Sequence, residues 1–190
     1  MNVNRVLNDI REQVSTENLI DSCSGEGCRV YMTGIPPDRV VIDVEREFDS
    51  RNITEKRCDR LLFFIDTAEN SLVAAPNELK SGKAEQSEVT EKLQNSLRFA
   101  ANILPRTRAL TTVYRPILFH GRGIKWINPR GTKQLNVNFR GRDLRIRVGR
   151  CGKDENLVRA LSEPDILQLK TVRIVKGLRR LELEWVRRKL

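Results

Sequence analysis

The sequence predicts an α/β protein, with helices and strands alternating through residues 1–120 and strands dominating residues 121–190. Three observations carry that prediction. Residues 86–104 place Val89, Leu93, Leu97, Ala100 and Leu104 at helical spacing, whereas "CDRLLFFID" and "SLVAAPNELK" are short runs separated by the turn-like "TAENS". Further on, apolar residues recur at every second position, first Leu135, Val137 and Phe139, then Leu144, Ile146 and Val148. A chain of 190 residues accommodates one core with an appendage. The expected organisation is therefore a core with an N-terminal helix at 1–120 and a basic, β-rich extension at 121–190 packed on it.

Taken in order, residues 3–20 space Val3, Val6 or Leu7, Ile10, Val14 and Leu19 as one face of an amphipathic helix, which "DSCSGEG" breaks. Pro36-Pro37 interrupts regular structure, and Asp38 is placed to cap a helix from Arg39. Val40 or Val41, Val44 and Phe48 share a helical face there, although Val-Val-Ile also suits a strand. The run from Cys58 and the run from Ser71 form the two arms of a hairpin. Pro105 stops the helix that follows. "TTVYRPILFH" reads as a strand whose Pro116 calls for an edge position or a bulge. A hairpin turns at Gly141, and "DENLVRALS" suits a short helix. The last residues suit a second hairpin at Gly177 with Leu181, Leu183 and Trp185 on one side, or a terminal helix.

Charge is the most informative bulk property. Residues 1–100 hold 13 Lys+Arg against 18 Asp+Glu, while residues 101–190 hold 22 against 7, for a total of +10. An acidic half able to gather divalent cations, joined to a basic half able to hold phosphates, is expected of a protein acting on nucleic acid. The alternatives are a solubilising surface and a patch that docks an acidic protein. No apolar window approaches the roughly 18 residues of a membrane span, and "MNVNRVLNDIREQV" lacks a secretory apolar segment, so a cytoplasmic chain without membrane partners is expected. Cys23, Cys28, Cys58 and Cys151 are too few for a disulfide scaffold of this length and read as thiols. "CSGEGC" lacks the second close pair or histidine of a structural zinc site.

Within "NELKSG", Glu78 and Lys80 are two apart, which on a strand turns both to one side. Asp59, at the start of the neighbouring strand, lies a run, a turn and a return run away from Glu78 and is within spatial reach of it. Two carboxylates suffice for magnesium, which completes its octahedron with water and substrate phosphate. Such an ion serves phosphodiester hydrolysis by acidifying water and polarising the phosphoryl oxygen, and a nearby lysine supports the charge that develops.

The order helix, strand, strand, helix, strand over residues 39–120, with Asp59, Glu78 and Lys80 at these places, resembles the PD-(D/E)XK nuclease superfamily of restriction endonucleases, resolvases and RecB-like exonucleases. The resemblance implies a restriction endonuclease-like core, a central mixed β-sheet flanked by helices. It further implies an endo- or exonuclease in which Asp59 and Glu78 bind Mg2+, with Mn2+ as a substitute, and Lys80 assists the nucleophile. A glutamate of the preceding helix, Glu45 or Glu47 in "DVEREF", would complete the site, and Gln94 in "EKLQNSLRFA" is similar to the glutamine of RecB-like members.

The remaining residues bound the chemistry. His120 is the only histidine, which leaves no histidine pair for a metal and reads as a strand-end residue. "HGRG" and "NPRG" are too short to cradle phosphate, and no P-loop occurs. Lys83 and Arg60 read as exposed strand-end charges. Arg140, Arg142, Arg145, Arg147 and Arg150 gather at the Gly141 hairpin. Alternation turns at least Arg145 and Arg147 to a common face, where they would track a phosphate backbone, DNA above all. Few aromatics argue against stacking on single-stranded bases. A homodimer and a place in a larger complex both stay open, as does binding without catalysis.

Overall fold

The computed structural model describes residues 3–25, 27–105, 110–128, 130, 133–152 and 156–162. It is an α/β fold around one mixed sheet. Strand β2 (Arg60–Asp66) runs antiparallel between β1 (Arg39–Asp43) and β3 (Ser71–Lys80), and β6 (Ile117–His120) and β10 (Arg147–Arg150) continue the sheet in parallel beyond β3. The helices are α1 (Val3–Glu12), α2 (Val44–Ser50), α3 (Gln86–Ile103) and α4 (Asn156–Ser162). Two small ladders complete the fold, β4 (Ala84–Glu85) with β7 (Ile124–Lys125), and β8 (Asn136–Phe139) with β9 (Arg142–Arg145). No helix among the described residues is long and apolar enough to cross a membrane.

The hairpin of β2 and β3 follows the sequence expectation, as does α3, which buries Val89, Leu93, Leu97 and Ala100. The region from Arg39 does not begin as a helix. It is strand β1, in which Val40, Val41 and Ile42 pair with Phe63, Leu62 and Leu61. The helix starts only at Val44, where the Asp43 side chain accepts the Arg46 backbone N–H at 3.3 Å, so the capping residue lies five positions beyond Asp38. At the N-terminus, α1 ends at Glu12 and a 3-10 turn at Thr16–Asn18 replaces the rest of the expected helix.

Pro116 does not sit on an edge strand. The chain breaks at residues 115 and 116 into β5 (Thr111–Tyr114), parallel to the first half of β3, and β6, parallel to the second half and flanked by β10 on its other side. Pro76 of β3 lies opposite that break, in the two-residue gap between the paired halves, where the missing N–H costs little. Asn77 donates its side-chain amide to the Ala75 carbonyl at 2.7 Å, while its Oδ1 is buried without a partner.

Each face of the sheet has its own apolar layer. Ile42, Leu61, Phe63, Leu72, Ala74 and Leu118 belong to a cluster with α1, α3 and the β8–β9 hairpin. On the other side Val41, Leu62, Phe64, Val73, Leu79 and Phe119 belong to a cluster with Cys23, Cys28, Val30 and Ile35 and with Leu157 and Leu161 of α4. A disulfide joins Cys28 to Cys151, at the end of β10, with Cα atoms 5.0 Å apart. The reading of all four cysteines as thiols therefore holds only for Cys23 and Cys58, both buried. Closing a loop of 123 residues restrains the unfolded chain, an effect of roughly 2–4 kcal/mol. The expected hairpin at Gly177 lies outside the described residues.

The arginine region departs most from simple alternation. Arg140 and Gly141 both have positive φ, 53° and 74°, the backbone of a two-residue hairpin turn of type I′. After β9 the chain leaves this small ladder at Ile146 and enters the central sheet as β10. Ile146 and Arg147 are consecutive buried residues, so the in-out pattern inverts and Val148 becomes exposed.

Candidate active site

The candidate site forms where β3 ends, on the side of the sheet covered by α3. Glu78 and Lys80 share the face of Leu72 and Ala74, because side chains alternate along an unbroken strand. Asp59 is held just before β2 by two backbone contacts. Its own carbonyl accepts the Val44 N–H at 3.2 Å, and the preceding Cys58 N–H donates to Ser96 Oγ of α3 at 2.9 Å. Its Oδ2 then accepts the Leu79 N–H at 2.7 Å, tying the carboxylate to the strand segment between Glu78 and Lys80. Asp59, Glu78 and Lys80 are therefore neighbours.

Two residues absent from the sequence reading complete the arrangement. Lys92 of α3 donates to Glu78 Oε1 at 2.8 Å, and Lys80 Nζ lies 3.4 Å from the same oxygen. Glu88 Oε1, one helical turn before Lys92, lies 3.3 Å from Lys92 Nζ and 3.4 Å from Lys80 Nζ. The result is a layered cluster with buried Glu78 below, two ammonium groups between, and partly exposed Glu88 above. A signal for Lys92 existed in the sequence. It lies four residues after Glu88, on the shoulder of the apolar stripe formed by Val89 and Leu93.

Glu78 is 0 % exposed and its Oε2 is buried with no hydrogen-bond partner. Burial pushes its carboxyl up to about 7 and the nearby Asp59 charge adds to the rise, against the opposing pull of Lys92 and Lys80. Burial disfavours the charge on Lys92, yet contact with Glu78 outweighs it and raises the lysine above its ordinary value. Glu88 moves down, because the two lysines outweigh its partial burial. A cleft of about 250 Å3 opens beside the cluster, lined in part by Glu45, Asp59, Arg57 and Lys92.

Glu45 therefore lies at the rim of the cleft, and Glu47 does not. Glu47 is buried behind α2, where its carboxylate accepts from Ser15 N–H, from Asn18 Nδ2 at 2.8 Å and from Arg51 Nε at 2.6 Å. It fastens α2 to the 3-10 turn. Gln94 points elsewhere, donating to the Asn138 carbonyl at 2.8 Å and tying α3 to the β8–β9 hairpin. Arg60 pairs with Asp43 at 3.2 Å and donates to the Ser24 carbonyl, so it is a structural tie rather than an exposed strand-end charge. His120 Nδ1 accepts the Gly123 N–H at 2.9 Å, and burial followed by the Arg150 charge lowers its pKa. "HGRG" is a tight crossing over residue 81, since a Cβ at Gly121 would lie 2.0 Å from the Ser81 carbonyl oxygen.

Arg140, Arg142, Arg145 and Arg150 are exposed. Arg140 also stacks its guanidinium over Phe139, 5.3 Å from the ring centre. Arg147 is 3 % exposed and donates to the Ala160 carbonyl of α4 at 2.6 Å, so it does not share a face with Arg145. The reason is the passage between sheets at Ile146.

Among the described residues no group of three or more His, Cys, Asp or Glu side chains could hold a metal ion. A dyad is a different matter, since magnesium takes one or two protein carboxylates. Asp59 and Glu78 supply two, both with hard oxygen donors, and the partnerless Glu78 Oε2 is an unused acceptor. The donor set fits a small divalent cation. Compared with known proteins, the chain matches no family model, no curated protein and no solved structure.

Proposed function

We propose that this chain is a metal-dependent nuclease of the PD-(D/E)XK type that hydrolyses phosphodiester bonds in DNA, its core being of the restriction endonuclease kind. One observation carries the reading. Asp59, Glu78 and Lys80 meet at the end of β3, beside a cleft, with one buried carboxylate oxygen left unpartnered. The Glu78 charge is paired through Oε1, but a buried acceptor with no partner of its own calls for an explanation, and a cation held at Oε2 would supply one.

Asp59 and Glu78 would hold Mg2+ or Mn2+, which when bound acidifies water and polarises a phosphoryl oxygen. Lys80, on the same side of β3 as Glu78, is positioned to counter the negative charge growing on the phosphoryl group. Glu45 lines the same cleft as Asp59, outside the pair that would hold the metal. Arg140, Arg142, Arg145 and Arg150 would hold backbone phosphates, which position a duplex without reading its sequence. Gln94 fastens the β8–β9 hairpin, which carries Arg140, Arg142 and Arg145, to α3, the helix that also carries Lys92 and Glu88.

The test is cleavage of plasmid and linear DNA with Mg2+, with EDTA, and by the Asp59→Asn and Glu78→Gln variants. Cleavage that requires the metal and disappears in both variants while DNA binding persists is the expected result. A second reading is favoured by the Lys92 to Glu78 ion pair, which already neutralises the buried carboxylate. It is a nucleic-acid-binding module without catalysis, and binding that weakens steeply with salt in the absence of any cleavage would select it.

A further inference from the structure

Lys92 stands between the cleft and the carboxylate that the nuclease reading assigns to a metal. It lines the cleft together with Asp59, yet its ammonium sits on Glu78 at 2.8 Å. Glu78 is fully buried, whereas the Glu88 side chain, 3.3 Å from the same ammonium, is 36 % exposed. The two acceptors lie on different elements, β3 and α3, with the Lys92 Nζ between them.

We infer that Lys92 is a resident counter-cation of the acidic pair, displaced to Glu88 when a divalent cation enters. The inference rests on the nuclease reading of this site. Its physical basis is charge balance. Without a dication, the carboxylate of fully buried Glu78 has that of Asp59 held beside it on the Leu79 N–H, and a buried carboxylate lacking any counter-charge is strongly destabilising. Lys92 and Lys80 supply that counter-charge. When a dication is present, the three cations crowd one another, and Lys92, the lysine of the two that lines the cleft, gives way. Glu88 is four residues earlier on the same helix and already within ion-pair distance, so the move needs only side-chain torsions and no shift of α3. Glu88 acts as a positioning residue that receives Lys92. Lys92 competes for the same carboxylate as the metal, so the protein holds its dication less tightly than the bare dyad would.

The inference makes two variants respond in opposite directions, which a merely structural ion pair does not. Mn2+ binding to the full chain, without DNA, is followed by isothermal titration calorimetry and by the loss of the free Mn2+ EPR signal. Fold is checked by circular dichroism. Lys92→Met is expected to bind Mn2+ about tenfold more tightly, the change that loss of one competing charge-assisted contact brings. Glu88→Gln, at a partly exposed position that tolerates the change, is expected to bind several-fold more weakly, about what a lost ion-pair partner costs. Glu78→Gln abolishes the site. Unchanged or weaker binding by Lys92→Met, or unchanged binding by Glu88→Gln, overturns the inference while Glu78-dependent binding leaves the nuclease reading intact. Absence of Mn2+ binding in the wild type and in a folded Lys92→Met overturns both. Should Lys92→Met fail to fold, Glu88→Gln alone decides.

Discussion

Two pairs of charged residues in this molecule are spaced identically and behave oppositely. Glu78 and Lys80 lie two apart near the end of β3 and meet on one side of the sheet, with 3.4 Å between their charged atoms. Arg145 and Arg147 also lie two apart, but one is exposed and the other is 3 % exposed beneath α4. The difference is continuity of pairing. Residues 77–80 belong to one strand and pair with β6 in unbroken register, whereas Ile146 separates the last residue of β9 from the first of β10, and each strand belongs to a different sheet. Period-two reasoning is a statement about one pleated strand. It loses its meaning where the chain changes sheets.

Several experiments would break or sharpen this contrast. Under the proposed nuclease function, the largest expected effect is at the Glu78–Lys80 pair. Lys80→Met should lower Mg2+-dependent DNA cleavage by about 10²–10³-fold, the scale for removing one electrostatic stabiliser of a transition state. Retained cleavage would detach Lys80 from the chemistry even though it sits beside Glu78. The next largest concerns the metal-free protein. Burial, with the Asp59 charge, pushes the Glu78 carboxyl up to about 7 from an ordinary 4.5, so between those values the folded chain holds a proton that the unfolded chain has released. Stability should therefore fall as pH rises through this window, by about 3 kcal/mol in all. Glu78→Gln should flatten that dependence. Urea denaturation at pH 4.5, 6 and 8 in EDTA measures both, and an equally steep fall in the variant would assign the effect to other groups.

Smaller effects separate the two arginines. Arg147→Met should cost about 2 kcal/mol, because the Ala160 carbonyl loses a charged donor in a buried place. Its thermal melt should shift down while DNA affinity per folded molecule stays unchanged. Arg145→Ala should leave stability within about 0.5 kcal/mol. It should reduce the slope of log affinity against log salt by about one unit if the residue meets a phosphate. Equal behaviour of the two variants in both assays would erase the distinction.

Much of the fold was legible because local signals agreed with long-range ones. The helix at 86–104 carries its apolar stripe within its own residues, and the 58–80 hairpin needs only one turn to find its partner. The same is true of the core of the candidate site, since Asp59, Glu78 and Lys80 all belong to that hairpin or its edge. Reading failed where the deciding partner was remote. Val40–Ile42 fit a helical face when viewed alone, but β2, twenty residues on, offers them a ladder. Glu47 and Glu45 look equivalent in "DVEREF". Only the arrival of Ser15 and Asn18 distinguishes the buried tie from the cleft carboxylate. Cys28 and Cys151 are joined across 123 residues, a distance at which spacing carries no information about pairing.

By itself the sequence determined the class of element in each strongly periodic stretch, the polarity of charge between the two halves, and that Glu78 and Lys80 share one side of their strand. These follow from the 3.6-residue and two-residue repeats of the backbone and from formal charge, which need no knowledge of neighbours. Tertiary structure alone decided that Lys92 reaches Glu78, that Glu88 waits beside it, that Arg147 is buried and that Cys28 meets Cys151. Each of these depends on where a second element comes to rest. Desolvation and Coulomb energy are then set by distances of a few ångströms that no pattern along the chain encodes.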